Sequence, residues 1–278
     1  MASGVGTPAS CRRRTSGWAL LLGMAALALL GGCRDGTVRL SFRPQAGRRY
    51  TYRIAVRATT VTTVADEEPR RTSIDTVFFA TQTVLSRSRD GGRIEVRAHQ
   101  ERGPTQTFIV RLDRSAELAE VQTIEGLPAR TLGNLGLSEI FPAAAAAPPD
   151  RSLAPGERWD IDTTVRLAQA PTARLRGKGR LVALGRIRGV DAARVTSSYR
   201  LPLRGSSTPN DNGLILDGTQ RTTTDVAYSI DDGAVLSAEA RTTGSFGVTF
   251  FPPAGTPGSP VAGTLSVTVS STTERVDR

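Results

Sequence analysis

The sequence predicts a mainly β protein: a long, curved antiparallel sheet, half-barrel-like in outline, with one short helical connection. Three observations carry that prediction. Apolar and polar residues alternate with period two through most of the chain beyond residue 39, the pattern of half-buried strands. Threonine, valine and serine crowd those stretches, and they favour strands over helices. Asp-Gly and Gly-rich turn signals separate the runs, as hairpins require.

Residues 1–32 stand apart from that pattern. Arg12, Arg13 and Arg14 form a basic cluster, and "WALLLGMAALALL" (18–30) supplies an apolar run. The run falls within the ~7–15 residues of a signal-peptide core and short of the about 20 needed to span a bilayer. No acidic residue occurs before Cys33. The segment predicts an export signal that is removed from the folded body. Residues 33–38 read as a short tether.

Strand-like alternation then fills 39–125. "YTYRIAVRA" (50–58) places Tyr50, Tyr52, Ile54 and Val56 on one face and Thr51, Arg53 and Arg57 on the other. "RIEVRAH" (93–99) and "TFIVRLD" (107–113) repeat the pattern, with "RDGG" (89–92) as a turn. Residues 126–156 lose the alternation; Leu132, Leu135 and Ile140 predict a short helix that ends before Pro142, followed by an Ala/Pro-rich connection. Strands resume over 157–278, beginning with "WDIDTTVRL" and punctuated by turns at "PNDNG" (209–213) and "IDDGA" (230–234). The sequence leaves open whether the two strand-rich stretches form one sheet or two lobes.

Leu30-Gly31-Gly32-Cys33 resembles the lipobox of bacterial lipoproteins. In that family the signal is cut before the cysteine and a diacylglyceryl group is attached to its sulfur. The resemblance implies that Cys33 is the lipid attachment site and the new N-terminus. Two buried acyl chains, at ~0.8 kcal/mol per CH2, hold a protein to a membrane where a single chain does not. Cys11, the other cysteine, lies inside the signal, so the body carries no disulfide framework and no cysteine metal site.

With a lipobox, a tether and long amphipathic antiparallel strands, the chain resembles the half-barrel envelope lipoproteins of the LolA/LolB and LppX/LprG class. The resemblance is one of architecture, so no binding residue is carried over from it. It implies a concave apolar face, for which Tyr52, Ile54, Val56, Phe108, Trp159 and Phe246 are the candidates. The competing reading of the same residues is an ordinary packed core.

The chain carries a formal net charge of +10, and Lys178 is its only lysine. A basic exported protein is drawn to anionic headgroups or envelope polymers. Nucleic acid is not expected as a partner, because the arginines are scattered along strands and aromatics are few. No catalytic residue is predicted. His99 is the sole histidine and falls on the polar side of its strand; neither G-x-S-x-G nor H-E-x-x-H occurs. Asp160 and Asp162 share a strand face with arginines around them and read as solvated surface, "RGKGR" (176–180) lacks the P-loop spacing, and no metal or other cofactor is expected.

The sequence thus predicts a non-catalytic envelope lipoprotein that binds or carries a hydrophobic ligand such as lipid. The alternative is an interaction or structural module without a small-molecule ligand. Arg34 follows Cys33, where many inner-membrane lipoproteins carry aspartate. That favours the outer membrane in a two-membrane host, and otherwise the outer face of the cytoplasmic membrane. Cys33→Ser should move the protein from the membrane pellet to the soluble fraction and abolish incorporation of labelled palmitate.

Overall fold

A computed structural model describes residues 36–65, 67–101, 103–114, 116, 118–124, 127–128, 148–167, 170–207, 214–252 and 257–276. The strands are β1 (Arg49–Val64), β2 (Arg70–Ser88), β3 (Gly91–Gln100), β4 (Gln106–Asp113), β5 (Leu118–Ile124) and β6 (Leu127–Pro128), then β7 (Arg158–Leu167), β8 (Ala170–Ile187), β9 (Val190–Ser207), β10 (Leu214–Ser229), β11 (Val235–Phe250) and β12 (Val261–Arg275). They form a single 12-stranded antiparallel sheet in the order β6-β5-β4-β3-β2-β1-β12-β11-β10-β9-β8-β7. The two strand-rich stretches are therefore one sheet. The predicted helix over 132–141 lies outside the described residues, among which no helix occurs.

Every pairing but one joins strands adjacent in the chain. The exception is β1 with β12, where Tyr52–Val64 runs antiparallel to Gly263–Arg275. The first and last strands therefore sit side by side at the middle of the sheet, and β6 and β7 form its two edges. Several strands are far longer than the ~5–6 residues typical of globular sheets; β2 has 19 residues and β8 and β9 have 18 each. Register shifts that leave an extra residue in β2 between Val84 and Ser86, in β8 between Leu181 and Ala183 and in β11 between Val235 and Ser237 bend these strands, because an extra residue raises the local twist. The result is an open curved sheet.

The core occupies one face. One buried cluster takes Tyr52, Ile54 and Val56 from β1, Ile94 and Val96 from β3, Phe108 and Val110 from β4, Trp159 and Ile161 from β7, Leu181 from β8 and Val195 from β9. Strands from both sides of the seam thus share a single apolar interior. Each fully buried aliphatic or aromatic side chain contributes about 1.5–3 kcal/mol.

The cover over this face is an extended segment rather than a described helix. Val38, Leu40 and Phe42 are buried in the cluster with Leu153. Val38 and Leu153 exchange backbone hydrogen bonds at 2.9 and 2.8 Å, and the Phe42 and Arg43 amides donate to the Arg114 and Asp232 carbonyls. Val38, assigned to the tether on sequence, belongs to the folded body. Gly233 lets this segment approach: it has a φ of +71°, and a Cβ there would collide with the Ser41 carbonyl. At the rim, Arg39 and Arg114 both meet Asp150, at 2.6 and 2.9 Å. The Arg39 hydrogen bond is the main reason that the Asp150 carboxyl is held below its usual range.

Tyr50 locks the β10–β11 turn to β1. Its hydroxyl donates to the Asp232 carboxylate at 2.9 Å, and the Arg275 guanidinium lies 4.9 Å from its ring centroid. Burial, then the Asp232 charge, then this hydrogen bond raise the Tyr50 pKa well above the ordinary tyrosine value. The folded state therefore keeps the phenol neutral, while the unfolded chain ionises near pH 10. Its contribution to stability is full below about pH 10 and is lost as pH rises beyond it. Tyr50→Phe should cost about 1–2 kcal/mol in chemical denaturation at pH 7. It should also flatten the decline in stability between pH 10 and 11.

Candidate functional site

The six candidates for an apolar concave face are all buried, none more than 7% exposed. Tyr52, Ile54, Val56, Phe108 and Trp159 belong to the shared core. Phe246 sits further along the same face of β11, its ring covering Gly218 and Gly244, where a Cβ would strike it. Beyond the core in β9–β11 this face carries paired hydroxyls: Ser197 with Thr224 at 2.6 Å, and Thr222 with Thr242 at 2.9 Å. Leu30, Gly31, Gly32 and Cys33 lie outside the described residues.

The other sequence candidates also have plain positions. His99 is exposed, stacked on Phe79 with ring centroids 5.6 Å apart. Asp162 accepts two hydrogen bonds from the Arg174 guanidinium, at 2.5 and 2.7 Å. Those bonds chiefly hold the Asp162 carboxyl below its usual range. Asp231 and Asp232 form the β10–β11 turn, and "PNDNG" lies outside the described residues. Among the described residues, no group of three or more His, Cys, Asp or Glu side chains is placed to hold a metal ion.

A recess among the described residues lies on the opposite, polar face. A groove of about 690 Å³ crosses β7 to β12, lined by Arg158, Lys178, Arg180 and Arg241, with Asp225 and Glu239 toward one end. The local sequence explains the cations. In β8 the alternation "RLRGKGR" (174–180) points Leu175, Gly177 and Gly179 toward the core face, leaving Arg174, Arg176, Lys178 and Arg180 on the polar face. Gly179 is required because the Trp159 indole lies flat over it; a Cβ would overlap that ring.

Register then aligns arginines from different strands. Arg176 on β8 is directly opposite Arg200 on β9, which is directly opposite Arg221 on β10. Arg158 is likewise opposite Arg180. Elsewhere arginines find acids: Arg57 with Asp75 at 2.8 Å, Arg194 with Asp225 at 2.6 Å and Arg204 with Asp217 at 3.1 Å. Among the described residues, Arg176, Arg200 and Arg221 make no ion pair, nor do the four groove cations. Sequence reading scattered these arginines along the chain. The period-two run in "RLRGKGR" was the available signal, but the strand register that assembles the row has no local signature.

No known protein family matches the chain, and no curated protein matches it. Among solved structures it matches OmpTdeltaL8 (loop L8 deletion mutant of OmpT), an outer membrane protein of Vibrio cholerae. The identity is 9%, over 84% of this chain and 100% of that one, with a TM-score of 0.19. So slight a likeness carries no argument about fold or function. Among the described residues, no helix is long and apolar enough to cross a membrane.

Like charges directly opposite on neighbouring strands destabilise a sheet by roughly 0.2–1 kcal/mol, with solvent exposure favouring the low end. Arg200→Thr should therefore raise the melting temperature at low salt. The gain should shrink in 0.5 M NaCl, where screening already removes most of the repulsion.

Proposed function

We propose that this chain is a lipid-anchored, non-catalytic module of the bacterial cell envelope that docks another envelope component through the polar face of its sheet. The filled core carries the reading. A carrier of acyl chains needs an open apolar cleft, whereas the six residues suited to line one are packed against each other or over glycines. The recess on the polar face is lined by charged and hydroxyl side chains. Such a surface suits a polar, charged partner.

Anchoring at Cys33 places the body at a membrane surface, where a second weak contact gains from high effective concentration. Neither an enzyme mechanism nor a cofactor is part of this proposal. The test is native mass spectrometry and lipid extraction on a Cys33→Ser chain, secreted from its own host behind a cleavable signal. The expected result is a protein free of stoichiometric lipid that takes up none from added micelles. Recovery of one lipid per chain would overturn the docking reading in favour of a carrier.

A further inference from the structure

Seven cations that make no ion pair among the described residues lie together on one sheet face, with Asp162 opposite Arg176 and Asp160 opposite Lys178 in the register. Arg200 stands between Arg176 and Arg221 in the register, and like charges so placed cost stability. An external anion offsets the cost. Adjacent strands are about 4.8 Å apart, so Arg176, Arg200 and Arg221 present guanidinium groups in a regular row across β8, β9 and β10. The neighbouring row on the same face runs Lys178, Ser198, Thr223 and Arg241, mixing cations with hydroxyl donors and acceptors.

We propose that this face binds a linear anionic polysaccharide, its carboxylate or phosphate groups seated along the Arg176–Arg200–Arg221 row and its hydroxyls bonded by the adjacent Ser and Thr side chains. The proposal rests on reading this face as the docking surface and names the chemistry of the partner. Three observations choose among polyanions. The row repeats on the scale of a sugar unit, so successive charged residues of a polymer can meet successive arginines. Beside the row, Arg158, Lys178, Arg180 and Arg241 line a recess of about 690 Å³, which admits a chain and which a flat bilayer would bridge without entering. No aromatic side chain is present among the described polar-face residues of β7–β11, so the stacking platforms that hold single-stranded nucleic acid are missing. Arginine suits the task because its planar fork donates two hydrogen bonds to one carboxylate or phosphate.

The experiment uses the full chain carrying Cys33→Ser, so that no acyl anchor enters a bilayer, in detergent-free buffer, with polygalacturonate as the probe, dextran as the neutral control, and vesicles of phosphatidylglycerol and phosphatidylcholine as the membrane arm. Binding is read by calorimetry at 50 and 300 mM NaCl. The expected result is binding to polygalacturonate, none to dextran, and at least a tenfold weakening at the higher salt. The triple variant R176Q/R200Q/R221Q should weaken binding at least tenfold. A control triple, R57Q/R97Q/R188Q, removes the same charge from ion-paired positions and should change binding less than twofold. Circular dichroism confirms that each variant is folded, which the exposure of all six side chains favours.

Equal losses in the two triples would reduce the interaction to net charge and overturn the proposal. Vesicle binding without polymer binding would overturn it in favour of a membrane surface, and failure to bind either probe would also overturn it. None of these outcomes bears on whether the core carries lipid. That question falls to the extraction experiment, so the two readings fail separately.

Discussion

The pairing of β1 with β12 holds this architecture together. Each half of the chain is a meander of hairpins that by itself would end in a long exposed strand, β1 on one side and β12 on the other. Such edges present unpaired backbone donors and acceptors and invite aggregation. Joining them places Tyr52–Val64 against Gly263–Arg275 and converts two meanders into one sheet. It also brings Tyr50 and Arg275 into contact and lets Trp159, Ile161 and Leu181 share a core with Phe108 and Val110. The contact spans nearly the whole chain, so loop-closure entropy opposes its early formation.

The same sheet serves two purposes by keeping its faces chemically distinct. On one face, aromatics settle over glycines: Trp159 over Gly179, and Phe246 over Gly218 and Gly244. On the other, register brings cations from separate strands into rows. Because side chains alternate strictly along a strand, each glycine–aromatic contact on the core face fixes which neighbours point outward. The basic row is thus a consequence of how the apolar face is packed. A register slip of one residue would place Arg176 and Lys178 in the core.

Much of this was legible in the sequence, for a physical reason. Period-two alternation is written locally, so the strands, the "RDGG" and "IDDGA" turns and the outward position of His99 could all be read. Long-range facts have no such trace. Nothing local in "YTYRIAVRA" specifies β12 as its partner, and nothing in "SYRL" shows that Arg200 stands between Arg176 and Arg221. Val38 illustrates another limit: it sits among polar tether-like residues, and only its ladder contact with Leu153 makes it core. The six proposed cleft residues are all buried, five of them in the shared core. Whether such a face is open or filled depends on the segment that lies over it, here Val38–Phe42.

Hydrogen–deuterium exchange resolved by peptide tests the seam most directly. If β1–β12 pairing unites the halves, protected amides in β1, β3, β9, β10 and β12 should exchange with one common opening free energy and respond in parallel to added denaturant. Two separate opening events, one for β1–β4 and another for β8–β12, would contradict it. The halves would then be independent units that merely touch.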